Sequence, residues 1–337
     1  MINRFLIFFL IISTISCDKL VPKERKTIGL DSDYPLQQFA PYLGRTTIYS
    51  DVFSKVSTTF PANFELQNVR RRNGNPAPEL TDIFPVKVWK MAYTGNETSV
   101  KEIEDKRVIE NHSLLEVKEH SGEIILWEPA RSNFVRAYPD SGYLFDIKVY
   151  NSGGARFFKG LKLIPYREQP YFPSNLSALS GMPVSPGVLP SSVNMTGDSS
   201  NRSLGTGDLE VYIRKVNVGD VNANKLTFRF LDKKDQFINP DMFSATDWPN
   251  LLHGFNMQKT TTGVTYDVAY PIPLAPLKTR YTNGDGNLAS VRFSFKRLGF
   301  ASQEVTNFVA LNFSIYEPGN WEIVFKFKFD NPKFRND

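Results

Sequence analysis

The stretch Trp321-Glu322-Ile323-Val324-Phe325-Lys326-Phe327-Lys328-Phe329 constrains the fold of this chain more than any other. Apolar Trp321, Ile323, Phe325, Phe327 and Phe329 alternate with Glu322, Lys326 and Lys328. Side chains two apart share one face of a strand, whereas a helix would scatter them around its surface. The pattern therefore predicts a half-buried antiparallel strand with one apolar and one charged face. Leu226–Phe230, Val291–Lys296 and Val309–Ile315 carry compatible patterns and are its expected partners.

Composition extends the argument to the whole chain. With 27 Phe, 14 Tyr and 22 Pro in 337 residues, sheet and turns are favoured over helix. The length is more than one domain comfortably holds, and two are expected. The predicted fold class is mainly all-β, with two antiparallel, immunoglobulin-like β-sandwich domains. One helix interrupts the first. Ser99 precedes Glu102 by three residues as a capping box, and Glu102 and Lys106 are one turn apart. Val100, Ile103 and Val108 should face the sheet, and the helix should end near Asn111.

At the N-terminus, Arg4 is followed by the unbroken apolar run Phe5 to Ile12. The run is too short to span a bilayer and has the length of a signal-peptide core. Ser13-Thr14-Ile15-Ser16 then leads to Cys17, a pattern resembling a bacterial lipobox, although Thr14 stands where Leu, Val or Ile is usual. Cys17 is also the only cysteine, so the chain can form no internal disulfide. Its expected role is lipidation, making a lipid anchor the link to the membrane. The expected organisation is a signal peptide (1–16), lipidated tether (17–40), N-terminal sandwich (41–173), Ser/Gly/Pro-rich linker or long loop (174–208) and C-terminal sandwich (209–337).

Removal of the signal peptide leaves 39 Lys plus Arg against 35 Asp plus Glu. That excess is too small and too dispersed for a nucleic-acid partner. The longest basic run, Arg70-Arg71-Arg72, precedes Asn73-Gly74-Asn75-Pro76 and is expected as a solvated strand end.

His112, His120 and His253 have no zinc-site spacing, and no nucleophile elbow, phosphate loop or dinucleotide fingerprint occurs. No metal, cofactor or catalytic residue is therefore assigned. A carboxylate pair such as a glycosidase uses leaves no sequence signature, and Glu79, Asp82, Glu119 and Glu123 fit turn and salt-bridge roles better. Asn283-Gly284-Asp285-Gly286-Asn287 resembles the opening of a calcium loop but lacks its later glycine and closing acid, so a hairpin turn is expected.

Sugar binding needs aromatic faces beside hydrogen-bonding groups. Trp321 belongs to a core face, and Trp89 and Trp127 end strands. Trp248, after Asp247 in a loop, has equal claims to plugging that loop and to stacking on a ligand. The candidate ligand-binding residues are Trp248, Asp247 and Trp127.

Leu43-Gly44-Arg45-Thr46, Pro76 to Trp89, Glu119-His120-Ser121-Gly122-Glu123, Pro139-Asp140-Ser141-Gly142-Tyr143 and Tyr316 to Glu322 together resemble a Bacteroidetes lipoprotein family of unknown function. The resemblance implies a place beside outer-membrane uptake systems that pair a TonB-dependent transporter (SusC-like) with a glycan-binding lipoprotein (SusD-like). It assigns no catalytic residue. Asp18-Lys19-Leu20-Val21 is not the acidic export signal common after the cysteine in this lineage, so the side of the membrane stays open. The expected function is a non-catalytic outer-membrane lipoprotein that binds a glycan or other polymer, or contacts the transporter. The alternatives are a structural or assembly lipoprotein making only protein contacts and, third, a hydrolase with an unrecognised carboxylate pair.

Overall fold

Short apolar runs closed by Pro, Gly, Asn or Asp form strands in the computed structural model, which describes residues 26–184, 187–217 and 223–336, and only the backbone of Phe300. The signal peptide, Cys17 and the first part of the tether lie outside the described residues.

The first half of the chain carries β1 (Gln38–Phe39), β2 (Thr47–Tyr49), β3 (Asn63–Arg71), β4 (Ile83–Trp89), β5 (Arg107–Ser113), β6 (Leu115–Val117), β7 (Ile124–Leu126), β8 (Tyr143–Asn151) and β9 (Gly154–Leu163). Two short helices, α1 (Pro78–Thr81) and α2 (Val100–Asp105), flank β4. One sheet has the order β1-β9-β8-β3, a second β2-β7-β6, and β4 and β5 form a hairpin. Phe64, Phe145, Ile147 and Leu161 of the first sheet share one buried core with Leu115, Ile124 and Leu126 of the second.

The second half carries β10 (Tyr171–Phe172), β11 (Ser191–Val193), β12 (Leu209–Lys215), β13 (Lys225–Leu231), β14 (Phe255–Thr260), β15 (Gly263–Asp267), β16 (Ala289–Leu298), β17 (Glu304–Ile315) and β18 (Asn320–Phe327). A five-stranded sheet, β12-β18-β13-β15-β14, faces a sheet in which β10, β11 and β16 all pair with β17. Between them Phe293 lies 4.9 Å from Phe230 and 5.2 Å from Phe325, ring to ring. The chain is thus mainly β and sandwich-like, as its periodicity requires.

The surroundings of β18 differ from expectation. It runs antiparallel to β12 and parallel to β13, and is buried along nearly its whole length. Glu322, expected in water, is 8% exposed and accepts from Arg214 (2.8 Å) and Arg229 (2.7 Å). Phe329 lies beyond the strand and is 63% exposed. The runs around Phe293 and Phe313 pair with each other as β16 and β17, not with β18. Alternation fixes which side chains face the core but not which of two facing sheets a strand joins.

The helix starts as expected, with the Ser99 hydroxyl accepting from Glu102 N, but ends at Asp105. Val108 and Ile109 continue into β5, where pairing with β4 overrides the helical spacing. Ile103, fully buried, packs on Ala269 and Leu274 of the second half instead of the first-half sheet. The Ser/Gly/Pro-rich stretch is mostly irregular, yet it supplies β11 and places Met195 and Leu204 in the second-half core. Arg70 and Arg71, at the end of β3, are ion-paired with Asp146 and Glu79. Residues 283–287 form a turn in which Asn283 Oδ1 accepts from the backbone of Asn287 and Leu288.

Candidate binding site at the junction of the two halves

Beyond β9 the chain crosses to β10 through Ile164–Pro170, and main-chain hydrogen bonds gather four tyrosines onto this connector. The β1–β9 ladder continues past both strands: Ile164 N donates to Phe39 O (2.9 Å), Tyr166 N to Pro41 O (2.8 Å) and Leu43 N to Tyr166 O (3.0 Å). That register bridges Tyr42 to Tyr166. Tyr138 N donates to Pro165 O (2.7 Å), and Tyr316 N, just past β17, donates to Pro170 O (2.9 Å).

The rings form a row in which neighbours are tilted by 36° and 37°. Tyr138 and Tyr166 are 6.1 Å apart between centroids, and Tyr166 and Tyr42 are 5.2 Å apart. The Arg45 guanidinium carbon continues the row, 4.2 Å from the Tyr42 ring centre and 4.4 Å from that of Tyr316. Gly44 makes the turn that releases Arg45. Its φ is +79°, and an added Cβ would meet Glu168 Cγ at 3.1 Å, so the position favours glycine sterically and conformationally.

These groups are held at their faces and open at their edges. Tyr138 is 39% exposed, and the other three tyrosines are half-buried. None of the four hydroxyls, nor the Arg45 guanidinium, bonds to a described residue, and those of Tyr42, Tyr166, Tyr316 and Arg45 are not sealed from solvent. Neighbouring charges are already engaged: Arg131 binds Glu128, and Glu168 accepts from Ser132 N (2.6 Å). Burial raises the Glu168 pKa, but the Ser132 hydrogen bonds and the Arg131 charge outweigh it and hold the carboxyl below its usual range. Each cation–π contact of Arg45 contributes about 0.5–2 kcal/mol through the ring faces and leaves the polar edges unused. A strip of hydroxyls, aromatic edges and one guanidinium suits a ligand bearing many hydroxyls and some apolar surface.

Other polar clusters offer less. A cavity of about 20 Å³ beside Tyr93, Leu252, His253 and Tyr281 has room for one water. His253 Nε2–H donates to the Glu97 carbonyl (2.8 Å), since a carbonyl can only accept, which leaves Nδ1 to accept from the Tyr93 hydroxyl (2.5 Å). Burial raises the carboxyl pKa of Glu97, Glu322 and Asp330, yet their hydrogen bonds win and hold all three low. Such carboxyls are ionised at neutral pH and poorly suited to donate a proton. Among the described residues no group of three His, Cys, Asp or Glu is arranged to hold a metal ion, and no helix is long and apolar enough to cross a membrane.

The residues singled out from sequence fall elsewhere. Trp248 is 6% exposed and packs against Phe293 (5.5 Å) and Phe230 (6.4 Å). Its carbonyl accepts from the Tyr266 hydroxyl (2.6 Å). The tight turn Trp248–Asn250 folds the ring onto the sheet as a plug, leaving little of it to stack on a ligand. Trp127 is 7% exposed, donates to Glu116 (2.8 Å) and lies beneath His112. Asp247 is exposed and binds Asn250 (3.1 Å), so the structure does not bring the three together as one binding surface. Sequence does not single out the four tyrosines of the row, because they come from four distant segments. Their one shared signal is a nearby proline: Pro41-Tyr42, Tyr138-Pro139, Pro165-Tyr166 and Tyr316-Glu317-Pro318.

Fold and site together define a mainly β, multi-sheet protein with an aromatic and cationic strip at the crossing between its halves. The chain belongs to the family described as Domain of unknown function (DUF5007), which matches residues 53–336. No curated protein and no solved structure matches it.

Proposed function

We propose that this protein is a non-catalytic, lipid-anchored accessory lipoprotein of the outer membrane that binds a polysaccharide for a nutrient-uptake system. The observation that carries the binding role is the row Tyr138, Tyr166, Tyr42, Arg45 and Tyr316, whose hydroxyls and guanidinium bond to no described residue. Tyrosine suits such a surface because it offers wide amphipathic contact with few torsions to freeze. The anchor rests on the lipobox-like sequence ending at Cys17, and the uptake role on the resemblance to lipoproteins that accompany TonB-dependent transporters.

The test is affinity electrophoresis of the full chain in gels containing different soluble polysaccharides. We expect retardation by at least one polymer and its loss, by about tenfold in affinity, in Tyr166→Ala, since stacked aromatics contribute about 0.5–1.5 kcal/mol each beyond area burial. Unretarded migration across neutral and acidic polymers alike would refute the binding role.

A second reading, contact with an envelope protein, draws on the β4–β5 hairpin. Ile83 and Ile109 share its outer face, and each is 63% exposed. Co-purification with a partner that added sugars do not displace, and that Ile109→Asp abolishes, would favour it.

A further inference from the structure

We propose that the tyrosine stack binds an acidic polysaccharide and that Arg45 recognises the carboxylate of a sugar unit. This narrows the polysaccharide-binding role and rests on it. Arg45 differs from the ion-paired arginines of the protein, and whereas Arg280 and Arg292 each lie over one ring, Arg45 lies over two. Arg70, Arg71, Arg107, Arg131, Arg136 and Arg229 each hold a protein carboxylate. Arg45 instead lies over the rings of both Tyr42 and Tyr316, with no carboxylate of the described residues within ion-pair distance.

Contact with two ring faces uses none of the guanidinium's N–H donors, and those donors form a fork matched to two carboxylate oxygens. The two ring contacts hold the guanidinium in place before any ligand arrives, so less side-chain entropy is lost on binding. One cation flanked by aromatic rings fits one charge on a sugar ring, with tyrosine edges meeting its apolar face and the unused hydroxyls its hydroxyl groups. A densely charged polyanion would call for a cluster of cations, which this strip lacks.

The experiment measures binding of the full chain, in detergent, to polygalacturonate, alginate and hyaluronan and to the carboxyl-reduced form of each. We expect at least one polymer to bind about tenfold or more tighter than its reduced form, the range of one bidentate charge-assisted contact. Arg45→Gln should bring the pair within about twofold, and Arg45→Lys, which keeps the charge but not the fork, should not restore the difference. Poly-L-glutamate should not compete. Equal binding of every polymer and its reduced form by the unaltered protein would overturn the carboxylate assignment while leaving polysaccharide binding standing, and it needs no variant to fold. Competition by poly-L-glutamate as strong as by the best polymer would overturn it in favour of general attraction to polyanions. Binding to no polysaccharide, acidic or reduced, would sink both proposals.

Discussion

At the scale of single residues, Trp248 is 6% exposed against Phe293 and Phe230, whereas Tyr166 is only half-buried between Tyr138 and Tyr42. Both lie in irregular, proline-containing segments, but Trp248 seals a phenylalanine core while Tyr166 belongs to an open stack. We expect Trp248→Ala to destabilise the protein by about 3–5 kcal/mol, as truncation of a buried aromatic does. Urea unfolding would measure this, and a loss under 1 kcal/mol would show that the ring is not core. Sequence alone leaves Trp248 equal claims to either role because a residue's burial depends on what folds over it, and here the cover comes from β13 and β16, far along the chain.

At the scale of elements, α2 and the loop around His253 join the halves. Ile103 enters a small core with Ala269 and Leu274, and His253 links Tyr93 to Glu97. Burial depresses the His253 pKa against the pull of the Glu97 carbonyl and charge, with Arg280 opposing and Glu102 assisting protonation. The unfolded chain therefore takes up a proton below pH of about 6.5 that the folded one resists, so stability falls as pH drops through that range. Glu97 acts lower. Burial opposes its ionisation, but Lys106 and Thr94 bring its pKa to about 2, so its contribution is present above its ordinary value of 4.5 and is lost as pH falls toward 2. We expect the decline in unfolding midpoint between pH 7 and 5.5 to shrink in His253→Gln and the decline below pH 4.5 to persist. An unchanged decline between pH 7 and 5.5 in that variant would remove His253 from the account. The Ser99 cap was legible in sequence, but the early end of α2 was not, because it follows from β5 finding β4.

At the scale of the whole molecule, the described sheets sit on a chain whose first residues read as an export signal. Cys17→Ala is expected to move the protein from the membrane to the soluble fraction of a cell extract, and its continued sedimentation with membranes would refute the lipid anchor. The sequence by itself determined that the protein is mainly β, because period-two alternation and a wealth of Phe and Tyr permit little else, and it fixed the start of α2 through a local hydroxyl-to-backbone bond. Only the tertiary structure decided which strands pair, why Glu322 is buried and which aromatics remain outside. Those outcomes depend on contacts between residues far apart in the chain. The Tyr138–Tyr166–Tyr42–Arg45–Tyr316 stack exists only where the end of the β1–β9 ladder meets the end of β17, and no stretch of sequence contains that meeting.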